Sequence, residues 1–279
     1  MSGIGSRAAA GVTGGPRVGD AFGGMLLAEM ETRQAGGSRS VIEIVERDDG
    51  FIRGGPASRY FADPAQWVPF ERRALDLATG RVIDVGAGAG RFALALQERG
   101  IEVTALDISP GAAEVCRYRG VRDVHLAGAQ DLTGARDLAG ARDLAGARDR
   151  AGGRGTFDTF LLMGENLGLI GGRESAAGFL RGLAAAASPG ARIIGHGADP
   201  HESSDPVHVR YRERNQQAGL MEGQMTLRVR YRDLATEWFP YLLCSPAELA
   251  GLVAGTPWQL TEVQRVDQVN YLAVLTLGP

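Results

Sequence analysis

Val82-Ile83-Asp84-Val85-Gly86-Ala87-Gly88-Ala89-Gly90-Arg91 sets the reading of the whole chain. Four strand-forming residues run into alternating glycines, and 91–99 then carries Phe92, Leu94 and Leu96 in a helical stretch. A strand that ends in glycines and opens a helix brings backbone close to a ligand at the strand's C-terminal edge. Glycine is needed there because a Cβ would strike the ligand or forbid the turn. The next strand, 102–107, ends in Asp107, about 20 residues past the first glycine, where a carboxylate accepts both ribose hydroxyls of a nucleoside.

Outward from this unit, strand and helix patterns alternate. Strands are expected at 121–126, 157–163 and 191–196, and helices at 110–118 and 174–187, which implies a parallel sheet covered on both faces. The chain closes with two strand-like runs, 258–266 and 270–277, whose short connection makes them antiparallel. Before the glycine unit, 1–19 is expected to be a disordered tail and 20–79 a cap, with a strand near 40–47 turning at Asp49-Gly50. The main domain spans 80–279. It holds a six-residue repeat (GAQDLT, GARDLA, GARDLA, GARDRA) as a surface loop over 126–155 and a lid insertion over 199–244. Within that lid, 206–218 reads as a helix and 225–232 as a strand with an arginine face.

Two nucleoside-bearing ligands suit the glycine turn. Gly88-Ala89-Gly90-Arg91-Phe92-Ala93 passes the looser form of the dinucleotide fingerprint, which leaves a nicotinamide-dependent oxidoreductase as the alternative. A dinucleotide pocket avoids an acid just before the turn, where it would face the pyrophosphate. Asp84 stands there, and a carboxylate suits a ligand with a cationic amino-acid end. A cofactor-binding protein without catalysis is the third reading.

Asp84 to Gly90 resembles the first motif of class I S-adenosylmethionine-dependent methyltransferases, and Leu106-Asp107-Ile108-Ser109 resembles their second. The similarity runs from about Arg81 to the C-terminus. The resemblance implies a Rossmann-like seven-stranded α/β sheet with an antiparallel C-terminal hairpin, S-adenosyl-L-methionine as cofactor, and methylation of oxygen or nitrogen on a small molecule. It also implies that the loop of Gly86, Ala87, Gly88 and Gly90 wraps the methionine part, with Asp84 and Arg91 at its ends, and that Asp107, beside Ile108, holds the ribose. Ala129, Gln130 and Asp131 match the segment beside adenine, and Met163 and Gly164 face the methyl donor. Gly128 departs from the pattern, since many relatives carry an acid there. The stretch from Asp199 to Arg232 resembles a group of actinobacterial small-molecule methyltransferases.

Composition narrows the chemistry further. All 30 basic residues of this 279-residue chain are arginine. Without lysine, Schiff-base chemistry and a Gly-Lys-Ser/Thr phosphate loop are excluded. Cys116 and Cys244 fit no metal spacing, so no metal is expected and a reducing, cytoplasmic setting is. No apolar run reaches membrane-span length, and the net charge of −3 with no basic aromatic patch argues against nucleic acid. A monomer or homodimer is expected.

Holding donor and acceptor in line supplies about 7–11 kcal/mol, more than general-base help of roughly 10²–10⁴-fold. Positioning therefore dominates, and the acceptor is less legible than the cofactor. His196 and Glu165 are the candidate catalytic groups, at the ends of the fifth and fourth strands. Arg228 and Arg230 are candidate forks for an acidic acceptor. Asn166, Tyr211, Tyr231, Trp238 and Tyr241 are candidate walls.

Overall fold

A computed structural model describes residues 15–132 and 157–278. Most of the repeat and residues 1–14 of the tail lie outside these. The chain folds into two sheets. The larger has seven strands, in spatial order β12 (Trp258–Arg265), β13 (Asn270–Leu277), β8 (Ala187–Ala198), β7 (Phe157–Leu162), β4 (Val82–Val85), β5 (Val103–Asp107) and β6 (Val124–Leu126). All pairings are parallel except those of β13, which runs antiparallel to both β8 and β12. Strands β4 and β5 are buried at every residue, as expected for a sheet covered on both faces. One apolar cluster joins Phe160, Leu180, Leu249 and Trp258. A second joins Trp67 and Leu75, the latter on α2 (Pro69–Leu77), to Phe92 and Leu96 of α3 (Arg91–Glu98), and a third joins Met25 and Leu26 to Ala112 and Val115. The Rossmann-like α/β class and the terminal hairpin expected from the sequence are both present.

The expected cap and lid are not separate. β2 (Ile42–Arg47) and β3 (Ile52–Pro56) form the expected hairpin, but β2 also pairs antiparallel with β9 (Gln224–Tyr231), from Ile44↔Arg230 to Arg47↔Leu227. β10 (Leu234–Ala235) and β11 (Phe239–Leu242) both pair with β9, and β1 (Arg17–Val18) runs parallel to β10. The physical reason is edge pairing. A two-stranded hairpin is marginal alone and leaves unpaired amides, whereas joining the two gives a six-stranded sheet. The expectation of a disordered tail over 1–19 is therefore wrong at Arg17–Val18, which form β1.

Helix α1 (Ala21–Gln34) docks this unit onto helix α4 (Pro110–Tyr118), which comes directly after β5. The two backbones nearly touch: a Cβ on Gly111 would lie 2.6 Å from the Gly23 Cα. Asp20 caps both helices. Its Oδ1 accepts from the Gly23 amide and the Ser109 hydroxyl, and its Oδ2 from the Gly111 amide, each at 2.8 Å. Ser109 in turn caps α4 by accepting from the Ala112 amide at 3.0 Å.

Replacing an N-cap aspartate costs about 0.5–2 kcal/mol, and here two further donors lose their acceptor. Asp20→Ala is expected to lower Tm by about 4–8 °C, at about 2–4 °C per kcal/mol. A thermal melt unchanged from wild type would show that the joint does not hold the cap.

Candidate active site

β4 ends in the glycine turn, where Gly86, Gly88 and Gly90 have φ of 73°, 57° and 74°. Two of them are also set by neighbours. A Cβ on Gly86 would lie 2.5 Å from Asn166 Nδ2, and one on Gly90 would lie 2.8 Å from Val121 Cγ2. Over Gly88 stand the rings of Tyr60 and Phe22, at 3.4 and 3.7 Å from where a Cβ would sit. Asp107 fixes the turn from the next strand: Oδ2 accepts from the Gly88 amide at 2.8 Å and Oδ1 from the Ser109 amide at 2.9 Å. Burial pushes its pKa up to about 6 against those two amides. A carboxylate has about four lone-pair sites, so capacity remains for two hydroxyls. Ile108, next in sequence, is 69% exposed and offers a bare apolar face.

Asp84 is buried, and among the described residues its Oδ2 has no hydrogen-bond partner. Burial raises its pKa to about 7; Arg91 opposes the rise and Asp107 adds to it. An orphaned acid behind a glycine cradle fits a ligand with a cationic group, and the neighbouring acid fits a ribose. Arg91 itself is paired with Glu71 and lies over the Trp67 and Phe92 rings at 5.0 and 4.5 Å.

At the end of β7, Gly164 and Glu165 both take positive φ, 70° and 68°, and the Asn166 amide returns to the Met163 carbonyl at 3.4 Å. Asn166 Nδ2 donates to the carbonyls of Val85 and Gly86, at 3.0 Å each, which ties this turn to the glycine turn. The Glu165 carboxylate accepts no hydrogen bond among the described residues and stands 3.9 Å from Arg53 of β3. Nearby, buried Glu43 of β2 accepts from Tyr60 Oη at 2.7 Å and from Arg59. Burial pushes the hydroxyls of Tyr60 and Tyr241 upward.

Residues 83–139 match the family described as "Methyltransferase domain". A crystal structure of a SAM-dependent methyltransferase from Bacteroides fragilis, in complex with S-adenosyl-L-homocysteine, is 28% identical, with a TM-score of 0.73 over 93% of this chain and 95% of that one. The chain thus carries a methyltransferase-domain sequence over residues 83–139 and shares the fold of an S-adenosylmethionine-dependent class I methyltransferase. The CcbJ methyltransferase from Streptomyces caelestis shares the fold at 16% identity, with a TM-score of 0.52 over 77% of this chain and 94% of its own. Ubiquinone biosynthesis O-methyltransferases from Xanthomonas oryzae are 36% identical over 63 residues, 21% of this chain and 26% of theirs. This chain thus matches about a quarter of the length of those curated relatives.

The other sequence candidates fall into two groups. Asn166, Glu165, His196 and Tyr241 gather at the end of β7: His196 Nδ1 accepts from the Glu165 amide at 3.0 Å and Tyr241 Oη donates to the Glu165 carbonyl at 2.7 Å. Arg228 and Arg230 instead pair with Glu46 of β2, at 2.8 and 3.4 Å, and lower its pKa, chiefly through the Arg228 hydrogen bond. Trp238 lies under the Arg228 guanidinium at 4.4 Å. Tyr211 is buried with its hydroxyl 2.6 Å from Asp48, and the Tyr231 ring packs beside Gly24 in the α1 joint. Ala129 is buried, Asp131 accepts from the Gly128 amide at 2.7 Å, and the Gln130 side chain lies outside the described residues. Sequence reading did not single out Asp20, Glu43, Arg53 or Arg59. Only Asp20 carried a signal, a capping residue directly before a helical pattern. Cys116 donates to the Gly88 carbonyl at 3.2 Å, and burial pushes its thiol up to about 12, so it packs as an inert group.

Because the folded pKa of Asp84 is raised, its contribution to stability is present below 3.8 and is lost as pH rises through about 7. Asp84→Asn in the cofactor-free protein is therefore expected to raise Tm at pH 8 by roughly 2–8 °C, with the gain vanishing near pH 4. Paired melts at the two pH values check this; a loss of Tm at pH 8 would contradict it.

Proposed function

We propose that this chain transfers the methyl group of S-adenosylmethionine to oxygen or nitrogen of a small molecule seated between the Glu165 turn and the second sheet. The supporting observation is the Glu165 carboxylate, held in left-handed backbone beside the glycine turn with no hydrogen bond among the described residues. Such strain costs about 1–3 kcal/mol and gathers at functional sites. The cofactor, when bound, supplies an electrophilic methyl on a cationic sulfur. Asp84 balances its ammonium, the glycine turn cradles its amino-acid part, Asp107 holds the ribose and Ile108 covers the base. On the acceptor side, Glu165 takes the proton that the acceptor loses as its lone pair forms the new bond to carbon.

An acidic acceptor is the finer reading. Arg53 supports it best, because it is exposed and its only ion pair among the described residues is the one at 3.9 Å. Arg228 and Arg230 already spend their forks on Glu46.

Calorimetry is expected to show binding of S-adenosylmethionine and S-adenosylhomocysteine, weakened at least 10-fold in Asp107→Ala, and no heat with NAD or NADP. The opposite preference would end this reading in favour of an oxidoreductase. Labelled methyl transfer into a bacterial metabolite extract, followed by mass spectrometry, identifies the acceptor. With that acceptor, Glu165→Gln is expected to lower kcat about 10²-fold or more at unchanged affinity for S-adenosylhomocysteine. Arg53→Ala is expected to raise KM for an acidic acceptor, while Arg230→Ala acts on Tm.

A further inference from the structure

Glu165 is held at both ends of its own peptide units. Its amide donates to His196 Nδ1 at 3.0 Å and its carbonyl accepts from Tyr241 Oη at 2.7 Å. A backbone amide can only donate, so Nδ1 is unprotonated. The other ring nitrogen faces Asn270 Oδ1 at 3.1 Å. Asn270 is oriented independently, because its Nδ2 donates to Asp267 Oδ2 at 2.9 Å, which leaves its oxygen for the ring. Both constraints give one tautomer, neutral with the proton on Nε2. The ring is buried and lies 4.7 Å from that of Phe70. Neither nitrogen is free to take a proton from an acceptor.

From this geometry we infer that His196 and Tyr241 are positioning residues, which together hold Glu165 in left-handed backbone so that its carboxylate faces the acceptor. The inference rests on the methyl-transfer reading of the Glu165 turn. It also gives the terminal hairpin a part in the site: Asp267 orients Asn270, Asn270 fixes the His196 ring, and the ring holds the Glu165 amide. Left-handed backbone is disfavoured for a residue with a Cβ, and the hydrogen bonds at the Glu165 amide and carbonyl oppose that cost.

The amide-shaped substitutes separate this role from that of a base. Asparagine places an oxygen where Nδ1 was; glutamine reaches the Nε2 position instead. With labelled S-adenosylmethionine and the bacterial metabolite extract, His196→Phe and His196→Gln are expected to lose about 10–100-fold in methyl transfer. His196→Asn is expected to stay within about threefold of wild type, and Tyr241→Phe to lose about 3–10-fold. Affinity for S-adenosylhomocysteine should change less than twofold in all four. His196→Asn as inactive as His196→Phe, or a fully active His196→Phe, overturns the inference. Should the variants fail to fold, nitrogen-15 NMR of the wild-type imidazole still decides: a proton on Nδ1 refutes the arrangement, and one on Nε2 supports it. Wild type that neither binds S-adenosylhomocysteine nor transfers label would sink the methyltransferase reading while leaving the tautomer result intact.

Discussion

Asp84 and Asp107 lie on neighbouring parallel strands with almost no water around them, and much of the molecule answers to that placement. A buried carboxylate must be supplied with donors or stay protonated. Asp107 takes the amides of Gly88 and Ser109, which draws the glycine turn onto the end of β5. Asp84 has an oxygen left over and Arg91 only partly offsets its burial, so a ligand cation would stabilise its charge further. The same demand reaches the cap, since Ser109 donates its hydroxyl hydrogen to Asp20, and Asp20 joins α1 to α4. The glycine turn and the cap are therefore one hydrogen-bonded structure.

The second sheet explains why cofactor and acceptor differ so much in legibility. The family match covers 83–139, a segment that holds the glycine turn, α3, β5, α4 and β6. The side chains around the Glu165 carboxylate come from elsewhere: Glu43 and Arg53 from the strands before that segment, Tyr241 from a strand well after it. Their meeting depends on β2 pairing with β9, which puts Glu46 against Arg228 across 182 residues of sequence. A change in either strand's register would move all of these groups while leaving the glycine turn untouched.

The parallel sheet, its helices and the terminal hairpin were readable because each is announced by local signals: apolar runs, caps and glycines. The Ser245 capping box, with Pro246 and Glu248 after it, is a local signal of the same kind. Joining cap to lid was not readable, because strand pairing across the chain leaves no mark within either strand. His196 was legible as a site candidate from its place near the end of β8. Whether its nitrogens were free depended on the Glu165 amide and Asn270, which only the fold brings beside it.

Arginine misleads in a chain without lysine. Elsewhere, a cluster of arginines hints at fork-like recognition of an anion, because a surface that needs only charge can use lysine. Here arginine must serve both purposes, so its number in 206–232 carries no such information. What separates the two uses is partner geometry. Arg212 spends donors on the carbonyls of Pro200 and Ser203, Arg214 pairs with Asp48, and Arg228 and Arg230 share Glu46. Among the described residues Arg53 pairs only at 3.9 Å, with the carboxylate proposed to face the acceptor. An incoming anion would have to displace almost nothing to reach it. For the Glu46 pair it would have to outcompete a partner already at hydrogen-bond distance, and the expectation for acceptor recognition moves accordingly from the β9 arginines to the β3 arginine.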